Sequence, residues 1–234
     1  MNQATSQWSQ FKQGIHDCIP TIIGYVSIGL AFGVVGSTSN LTVLEVFLLA
    51  SVLYAGSAQF IFCSLIVVNA PFFAIVATIF VVNFRHFLMS LSIAPYFKSD
   101  SILRNIGYGT LLTDESFGVA IVKGNKEGSL NGNWLNGLNV TAYLSWIMAC
   151  VGGSLIGAYI QSPEVYGLDY ALVAMFIALL ILTLQSLPKT RLLHYIKVIV
   201  CVFLLMAVLI QFIPGHLAVL ISTMVAATIG VMMK

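Results

Sequence analysis

An arginine and a histidine stand in the middle of a long apolar stretch. Residues 71–95 read PFFAIVATIFVVNFRHFLMSLSIAP, with Asn83, Arg85 and His86 near the centre. The stretch exceeds the roughly 20 apolar residues that a helix needs to cross a bilayer. A guanidinium at that depth costs roughly 2.5 kcal/mol or more, so it needs a counter-charge, a water-filled cavity or an anionic ligand. The chain must therefore fold so that Arg85 meets one of these partners.

The composition indicates an integral membrane protein. Of the 234 residues, 59% are hydrophobic and only 8% are charged, and the mean hydropathy is +0.98. Soluble globular domains are about 25% charged. The apolar segments are continuous runs without strict alternation, which favours helices over a transmembrane barrel. Because these runs take up nearly all of the sequence, we expect no soluble catalytic domain within it.

The apolar runs predict an all-α fold with eight transmembrane helices in a single membrane domain, 1–234. Before the first span, residues 5–18 place Trp8, Phe11, Ile15 and Cys18 on one face of a short amphipathic helix, which we expect in the membrane interface. The predicted spans cover about 20–36, 42–69, 71–93, 106–122, 134–160, 167–187, 192–213 and 215–233.

The run 42–69 is too long for one ordinary helix, and it contains the sequence YAGSAQF at 54–60. We predict a break near Gly56, where free amide and carbonyl groups could bind a charged substrate. A kinked but continuous helix is the alternative. Eight crossings put both termini on the side richer in Lys and Arg, so we expect cytoplasmic termini. If 42–69 did not cross, seven spans would remain and this charge asymmetry would largely vanish.

Two adjacent acids, Asp114 and Glu115, interrupt the run 106–122 and are the best counter-charges for Arg85. They point to different sides of a helix, so Arg85 is not expected to neutralise both closely. The second acid would need His86, a substrate ammonium group or a bound proton, which makes proton coupling a hypothesis. Alternatively, a buried ion pair could serve only to fix helix packing. Further candidate site residues, around the predicted break, are Tyr54, Gly56, Ser57 and Gln59.

Motifs of enzymes and metal sites are missing from the sequence. It has no G-x-x-x-x-G-K-[ST], no H-E-x-x-H and no C-x-x-C, and its four cysteines are far apart. The tetrapeptide Gly56-Ser57-Ala58-Gln59 is only weakly similar to the motif of an intramembrane serine hydrolase. We therefore expect no enzyme, no cofactor, no metal site, no ATP site and no nucleic-acid binding.

Several of these motifs together resemble the AzlC family, the large subunit of bacterial branched-chain amino acid exporters. The matching stretches are Ala31-Phe32-Gly33, YAGSAQF at 54–60, Asn83-Phe84-Arg85-His86, LTDESF at 112–117 and Asn133-Trp134. Many relatives have a tyrosine soon after the Arg-His pair, where this chain reads Phe87-Leu88-Met89. If that tyrosine contacts substrate, this departure bears on which substrate is preferred here.

The resemblance implies a multi-pass secondary transporter of the bacterial cytoplasmic (inner) membrane that exports Leu, Ile and Val, with Met as a further candidate. It also implies pairing with a small hydrophobic membrane subunit of the AzlD family. Arg85, or the amides at Gly56 and Ser57, would hold the substrate carboxylate, and Asp114 or Glu115 would hold its ammonium group. The competing hypothesis is a structural or regulatory membrane subunit whose charges only fix helix packing.

Overall fold

The fold is described here from a computed structural model. It describes residues 6–160, 170, 173–174, 177, 180–181, 184, 189–213 and 215–232, and all regular secondary structure within them is helical. The predicted all-α class is therefore confirmed for this part of the chain. Two compact units are formed, one up to Leu172 and one from Val173 onward. The predicted span 167–187 lies largely outside the described residues.

The first two helices follow each other almost without interruption. Helix α1 runs over Gln7–Asp17 and helix α2 over Ile19–Thr38. The Ser6 hydroxyl caps α1 by accepting a hydrogen bond from the Ser9 amide at 3.2 Å. The apolar face predicted for this segment is divided, because Cys18 is buried whereas Trp8 is 62% exposed.

The run 42–69 folds back on itself as two short helices. Helix α3 covers Val43–Val52 and helix α4 covers Gly56–Val67, so the predicted break near Gly56 is confirmed. Both helices lie beside the C-terminal half of α2: Val46 of α3 packs at Gly36, and the Phe60 ring of α4 is 5.5 Å from the Phe32 ring. Helices of 10 and 12 residues are each too short to span alone, so the eight predicted crossings are not confirmed. We call this segment, 43–67, the first hairpin.

A long helix then leads to a second pair of short ones. Helix α5 covers Phe72–Ile93 and continues as a 3-10 turn, Ala94–Phe97. Helix α6, Ile102–Thr110, and helix α7, Asp114–Glu127, are separated by residues 111–113. The predicted span 106–122 is thus divided between two short helices, and we call 102–127 the second hairpin.

The two ends of the second hairpin lie at the same end of the first unit. Helix α8 covers Gly132–Gly157. Just before the hairpin, Asp100 accepts a hydrogen bond at 2.9 Å from the Tyr108 hydroxyl, which also contacts Gly132. At its other end, Lys123 Nζ lies 5.1 Å from the centre of the Trp134 ring. Both ends therefore lie beside the beginning of α8, whereas the first hairpin enters from the opposite end.

Helices α1 and α2 run parallel to α8 at backbone contact. Gly14 lies against Trp134, Gly33 against Cys150, and Gly153 against the Leu30 carbonyl. A Cβ atom at any of these glycines would collide with backbone of the facing helix. Small residues do not guarantee such contact, since Gly24 of the same helix has no neighbour within 4 Å of an added Cβ.

The described part of the second unit is a helix pair. Helix α9 covers Lys189–Leu209 and helix α10 covers Gly215–Met232, and they run antiparallel, with Gly230 against Val198. Among the described residues of the whole chain, four helices are long and apolar enough to cross a membrane. They are Ile19–Thr38, Phe72–Phe97, Gly132–Gly157 and Leu192–Leu209.

Candidate functional site

The tips of both hairpins meet at Arg85, near the middle of α5. Its Nη2 lies 3.0 Å from Asp114 Oδ2 and donates to Ser57 Oγ at 2.5 Å. Ser57 lies in the first turn of α4, and Asp114 is the first residue of α7. The two charged side chains are 28% and 25% exposed. Of the two acids predicted as counter-charges for Arg85, the structure pairs it with Asp114.

The two helix N-termini that meet at Arg85 are capped differently. Helix α7 begins with a reciprocal capping box, in which the Thr113 amide donates to Ser116 Oγ at 2.9 Å. Helix α4 follows Ala55, which offers no side-chain cap, and has no acid in its first turn. The first amides of a helix have no partner within the helix. The start of α4 is therefore suited to an anion, whereas acids already occupy the start of α7.

Glu115 has a different partner from Asp114. The Tyr25 hydroxyl of α2 donates to Glu115 Oε2 at 3.0 Å and lies 2.5 Å from Thr113 Oγ1. Tyr25 has only one hydroxyl hydrogen, so Thr113 donates to the Tyr25 oxygen. The two acids thus point apart, as the sequence predicted. Tyr25 is a site residue that the sequence analysis missed; its one signal is a hydroxyl within an apolar span.

His86 holds the tip of the second hairpin against α5. Its Nδ1 lies 2.9 Å from the Leu112 carbonyl oxygen. Because a carbonyl can only accept, the hydrogen resides on Nδ1. The other ring nitrogen, Nε2, is buried with no hydrogen-bond partner among the described residues, and the same is true of Arg85 Nε.

Aromatic rings cover the tip of the first hairpin. The indole of Trp146 in α8 lies against Gly56, where a Cβ atom would come within 2.9 Å of the ring. Tyr54 packs edge-on against Tyr143, with ring centroids 4.9 Å apart. Gly56 and Tyr54 thus line the break as predicted, and the sequence analysis missed Trp146.

Two of the predicted site residues, Gln59 and Asn83, are not hydrogen-bonded to the Arg85–Asp114 pair. Gln59 is fully buried, and its Nε2 donates to the Leu49 carbonyl at 2.9 Å, which ties α4 to the last turn of α3. Asn83 lines an apolar groove of about 870 Å³ between α4 and α5, together with Phe62, Phe80 and Phe84. Neither residue contacts the Arg85–Asp114 pair, so these two predicted site residues lie outside the cluster.

The geometry around Ser57 bears on the hydrolase alternative. Ser57 Oγ accepts from Arg85, while the adjacent His86 donates to a backbone carbonyl. These two side chains therefore do not form a Ser–His pair. What the cluster offers is a set of charged and hydrogen-bonding groups between two helix N-termini, which suits the binding of a small charged solute.

Comparison with known proteins supports one family. The AzlC protein family matches residues 20–160, more than half of the chain. The inner membrane protein YgaZ of Escherichia coli (strain K12) is 27% identical over 190 residues, covering 75% of this chain and 74% of YgaZ. An uncharacterized membrane protein of Archaeoglobus fulgidus is 29% identical over 183 residues, covering 77% of this chain and 79% of that protein.

A third relative has a functional name. The branched-chain amino acid transport protein AzlC of Bacillus subtilis (strain 168) is 24% identical over 188 residues, covering 77% of this chain and 70% of its own length. No solved structure matches this one. The region 20–160 contains both hairpins, Arg85 and the Asp114 and Ser57 side chains that bind it. The chain is therefore a member of the AzlC family of membrane proteins.

Proposed function

We propose that this chain is the large subunit of a secondary transporter that exports branched-chain amino acids from the bacterial cytoplasm. Its partner is a small AzlD-type membrane subunit, and the pair lies in the inner membrane. One relative in its family is named a branched-chain amino acid transport protein. The observation that carries the proposal is the meeting of two interrupted helices at a partly buried ion pair. Transporters use interrupted helices to bind the charged ends of their substrates.

The arrangement suits a zwitterion. Arg85 and the uncapped start of α4, at Gly56 and Ser57, provide donors for a carboxylate. The acids at the start of α7 provide acceptors for an ammonium group. In this structure Arg85 forms an ion pair with Asp114. When an amino acid binds, its carboxylate accepts hydrogen bonds from the remaining N–H groups of Arg85.

Selectivity among the branched-chain amino acids is expected to be modest. Their side chains offer only apolar surface, and one methylene group changes binding by about 1–3 kcal/mol in an apolar pocket. Leu, Ile, Val and Met should therefore compete with one another for export. The same reasoning predicts poor export of charged or strongly polar amino acids, whose side chains would lose their hydration.

The test is efflux of preloaded, labelled leucine from cells that lack their own exporters. The chain is expressed with and without a candidate small subunit, alongside Arg85→Met and Asp114→Asn at matched levels. Removing one partner of a buried ion pair costs about 3–5 kcal/mol. We therefore expect both variants to lose export by at least about tenfold, while Arg104→Met, at an exposed arginine of α6, keeps it.

The same assay separates the proposal from a structural subunit. In the double variant Arg85→Met/Asp114→Leu, two apolar side chains replace the ion pair. A chain whose charges only fix packing would keep its function in this variant, whereas a transporter would lose export and still assemble. Failure of the wild-type pair to export any member of an amino acid panel would contradict the proposal.

A further inference from the structure

Glu115 is a half-buried carboxylate without a cation. Arg85 is taken by Asp114, and among the described residues no Lys, Arg or His nitrogen lies within 4.0 Å of Glu115. Its carboxylate instead contacts hydroxyl groups, those of Tyr25, which donates at 3.0 Å, and of Thr113. An ionised carboxylate inside a membrane protein is stabilised by a paired cation. The Glu115 carboxylate can therefore accept a hydrogen bond from a cationic ligand and form an ion pair with it.

The indole N–H of Trp146, which also packs beside Tyr25, lacks a hydrogen-bond acceptor among the described residues. The Trp146 ring packs edge-on against the Tyr25 ring, with centroids 5.0 Å apart, and lies on Gly56. Trp146 is only 3% exposed, and its Nε1–H has no acceptor among the described residues. Buried N–H groups almost always have an acceptor, and an indole nitrogen can only donate. This donor is independent of the acids on α7.

Tyr25 thus lies between a carboxylate that lacks a cation and a donor that lacks an acceptor. The Glu115 carboxylate contacts the Tyr25 hydroxyl and the Trp146 ring contacts the Tyr25 ring, so both groups border the same side chain. The α-ammonium and α-carboxylate of an amino acid are attached to the same carbon atom and would supply both missing partners. An inorganic cation would leave Trp146 without an acceptor.

We propose that Glu115, positioned by Tyr25, binds the substrate's ammonium group and that Trp146 Nε1 donates to its carboxylate. Asp114 then serves to hold Arg85 and takes no direct part in ammonium binding. This inference rests on the proposed function, because it assigns groups of the same amino acid site. It decides between the two acids on α7 and adds Tyr25 and Trp146 to the site.

The test measures competition with labelled leucine on the purified complex of the full chain and its small subunit. Unlabelled competitors are leucine, isocaproate, which is leucine without its amino group, and isoamylamine, which is leucine without its carboxylate. In Glu115→Gln, leucine and isoamylamine should bind about 10- to 100-fold more weakly, because a hydrogen bond to a charged group is lost. Isocaproate binding should stay unchanged.

Three further variants make the assignment specific. Asp114→Asn removes the same charge one residue away and should leave the ratio of leucine to isocaproate affinity unchanged. Trp146→Phe should weaken leucine and isocaproate but not isoamylamine. Tyr25→Phe keeps all charges and should weaken leucine and isoamylamine but not isocaproate, so it tests the role of Glu115 even if Glu115→Gln fails to fold.

Several results would overturn the inference. One is a Glu115→Gln protein that weakens all three ligands equally, and another is an Asp114→Asn protein that loses the preference for leucine over isocaproate. In both cases the wild type still binds leucine, so the proposed function would stand. A wild-type complex that binds no amino acid at all would overturn the proposed function and this inference together.

Discussion

Arg85 makes its two side-chain contacts through a single nitrogen. Nη2 serves both Asp114 and Ser57, whereas Nε is buried without a partner among the described residues. A guanidinium has five N–H donors in a planar fork, which can bind a carboxylate through two parallel hydrogen bonds. Arg85 therefore keeps donors in reserve while it holds the two hairpin tips together.

This reserve predicts different effects of Arg85→Lys on folding and on transport. A lysine keeps the charge and can pair with Asp114, but it cannot bind a carboxylate in the forked geometry. We expect the melting temperature to stay near that of the wild type and the KM for leucine export to rise about tenfold or more. Arg104→Lys is the control. Equal KM values for the two variants would show that Arg85 does not bind substrate.

Charged residues of the site could be recognised from the sequence because charges are rare in apolar runs. Arg85, Asp114 and Glu115 stand out for that reason, but their pairing could not be assigned, since both acids lie on one turn. Tyr25 and Trp146 give no comparable signal, because hydroxyl and indole groups are common in membrane helices. Their importance depends on how α2 and α8 place them against the hairpin tips.

The hairpins show that the length and hydropathy of an apolar run do not determine whether it forms one helix or two. The run 42–69 is apolar enough to cross a membrane, yet residues 53–55 reverse its direction, and residues 111–113 do the same in the second hairpin. Hydropathy does not distinguish a helix that continues from one that turns back. The break itself was predictable from Gly56, but the reversal depends on tertiary contacts such as Phe60 with Phe32 and Tyr108 with Asn139.

Gln59 gives a test of what holds the first hairpin closed. Replacing it with leucine removes the hydrogen bond from its Nε2 to the Leu49 carbonyl, which joins α4 to α3. We expect the free energy of unfolding to fall by about 1–2 kcal/mol. Gln211→Leu is the matched control, because that exposed glutamine, just after α9, bonds the nearby Ala207 carbonyl and joins no two helices. Thermal unfolding in detergent measures both, and equal stability would contradict the assigned role.

The contact between α2 and α8 can be tested at its glycines. A Cβ at Gly33 would collide with the Cys150 carbonyl and the Ser154 amide, so Gly33→Ala must push the helices apart. Overpacking of this kind costs about 1–3 kcal/mol. Gly24→Ala lies on the same helix with nothing within 4 Å of its Cβ and should be neutral or slightly stabilising. Unfolding temperatures that do not distinguish the two variants would show that this contact is not tight.

At the scale of the whole first unit, the order of elements repeats with reversed direction. A long helix followed by a hairpin, α2 with α3 and α4, is succeeded by α5 with α6 and α7 running the opposite way. Both hairpins return to the end from which they started. Lys12, Lys98, Arg104, Lys123 and Lys126 therefore share one end of the unit, and the connections at the other end, 39–42 and 68–71, contain no Lys or Arg. The charge asymmetry was expected to vanish largely if 42–69 alone did not cross; with two hairpins, the first unit keeps it.

This arrangement predicts the membrane topology. In the full chain with its native cysteines replaced, Lys98→Cys and Asn125→Cys should both be shielded from a membrane-impermeant maleimide added to intact cells, because positively charged ends face the cytoplasm. Asn40→Cys and Val68→Cys should both react. The topology with eight crossings instead places Lys98 and Asn125 on opposite sides, so labelling of one and not the other would contradict the hairpins.

The backbone contact between α2 and α8 also limits which parts of the molecule can move. Helices that meet at Gly33 and Gly153 cannot rotate or slide past each other without collision between main chains. The hairpins contact their surroundings through side chains, which rearrange more easily. If this protein transports, α2 and α8 are the static frame of an alternating-access cycle, and each hairpin is the gate for the membrane face from which it enters. The ion pair between Arg85 and Asp114 and the hydrogen bond from Arg85 to Ser57 would then hold both gates closed, and both would have to break for a gate to open.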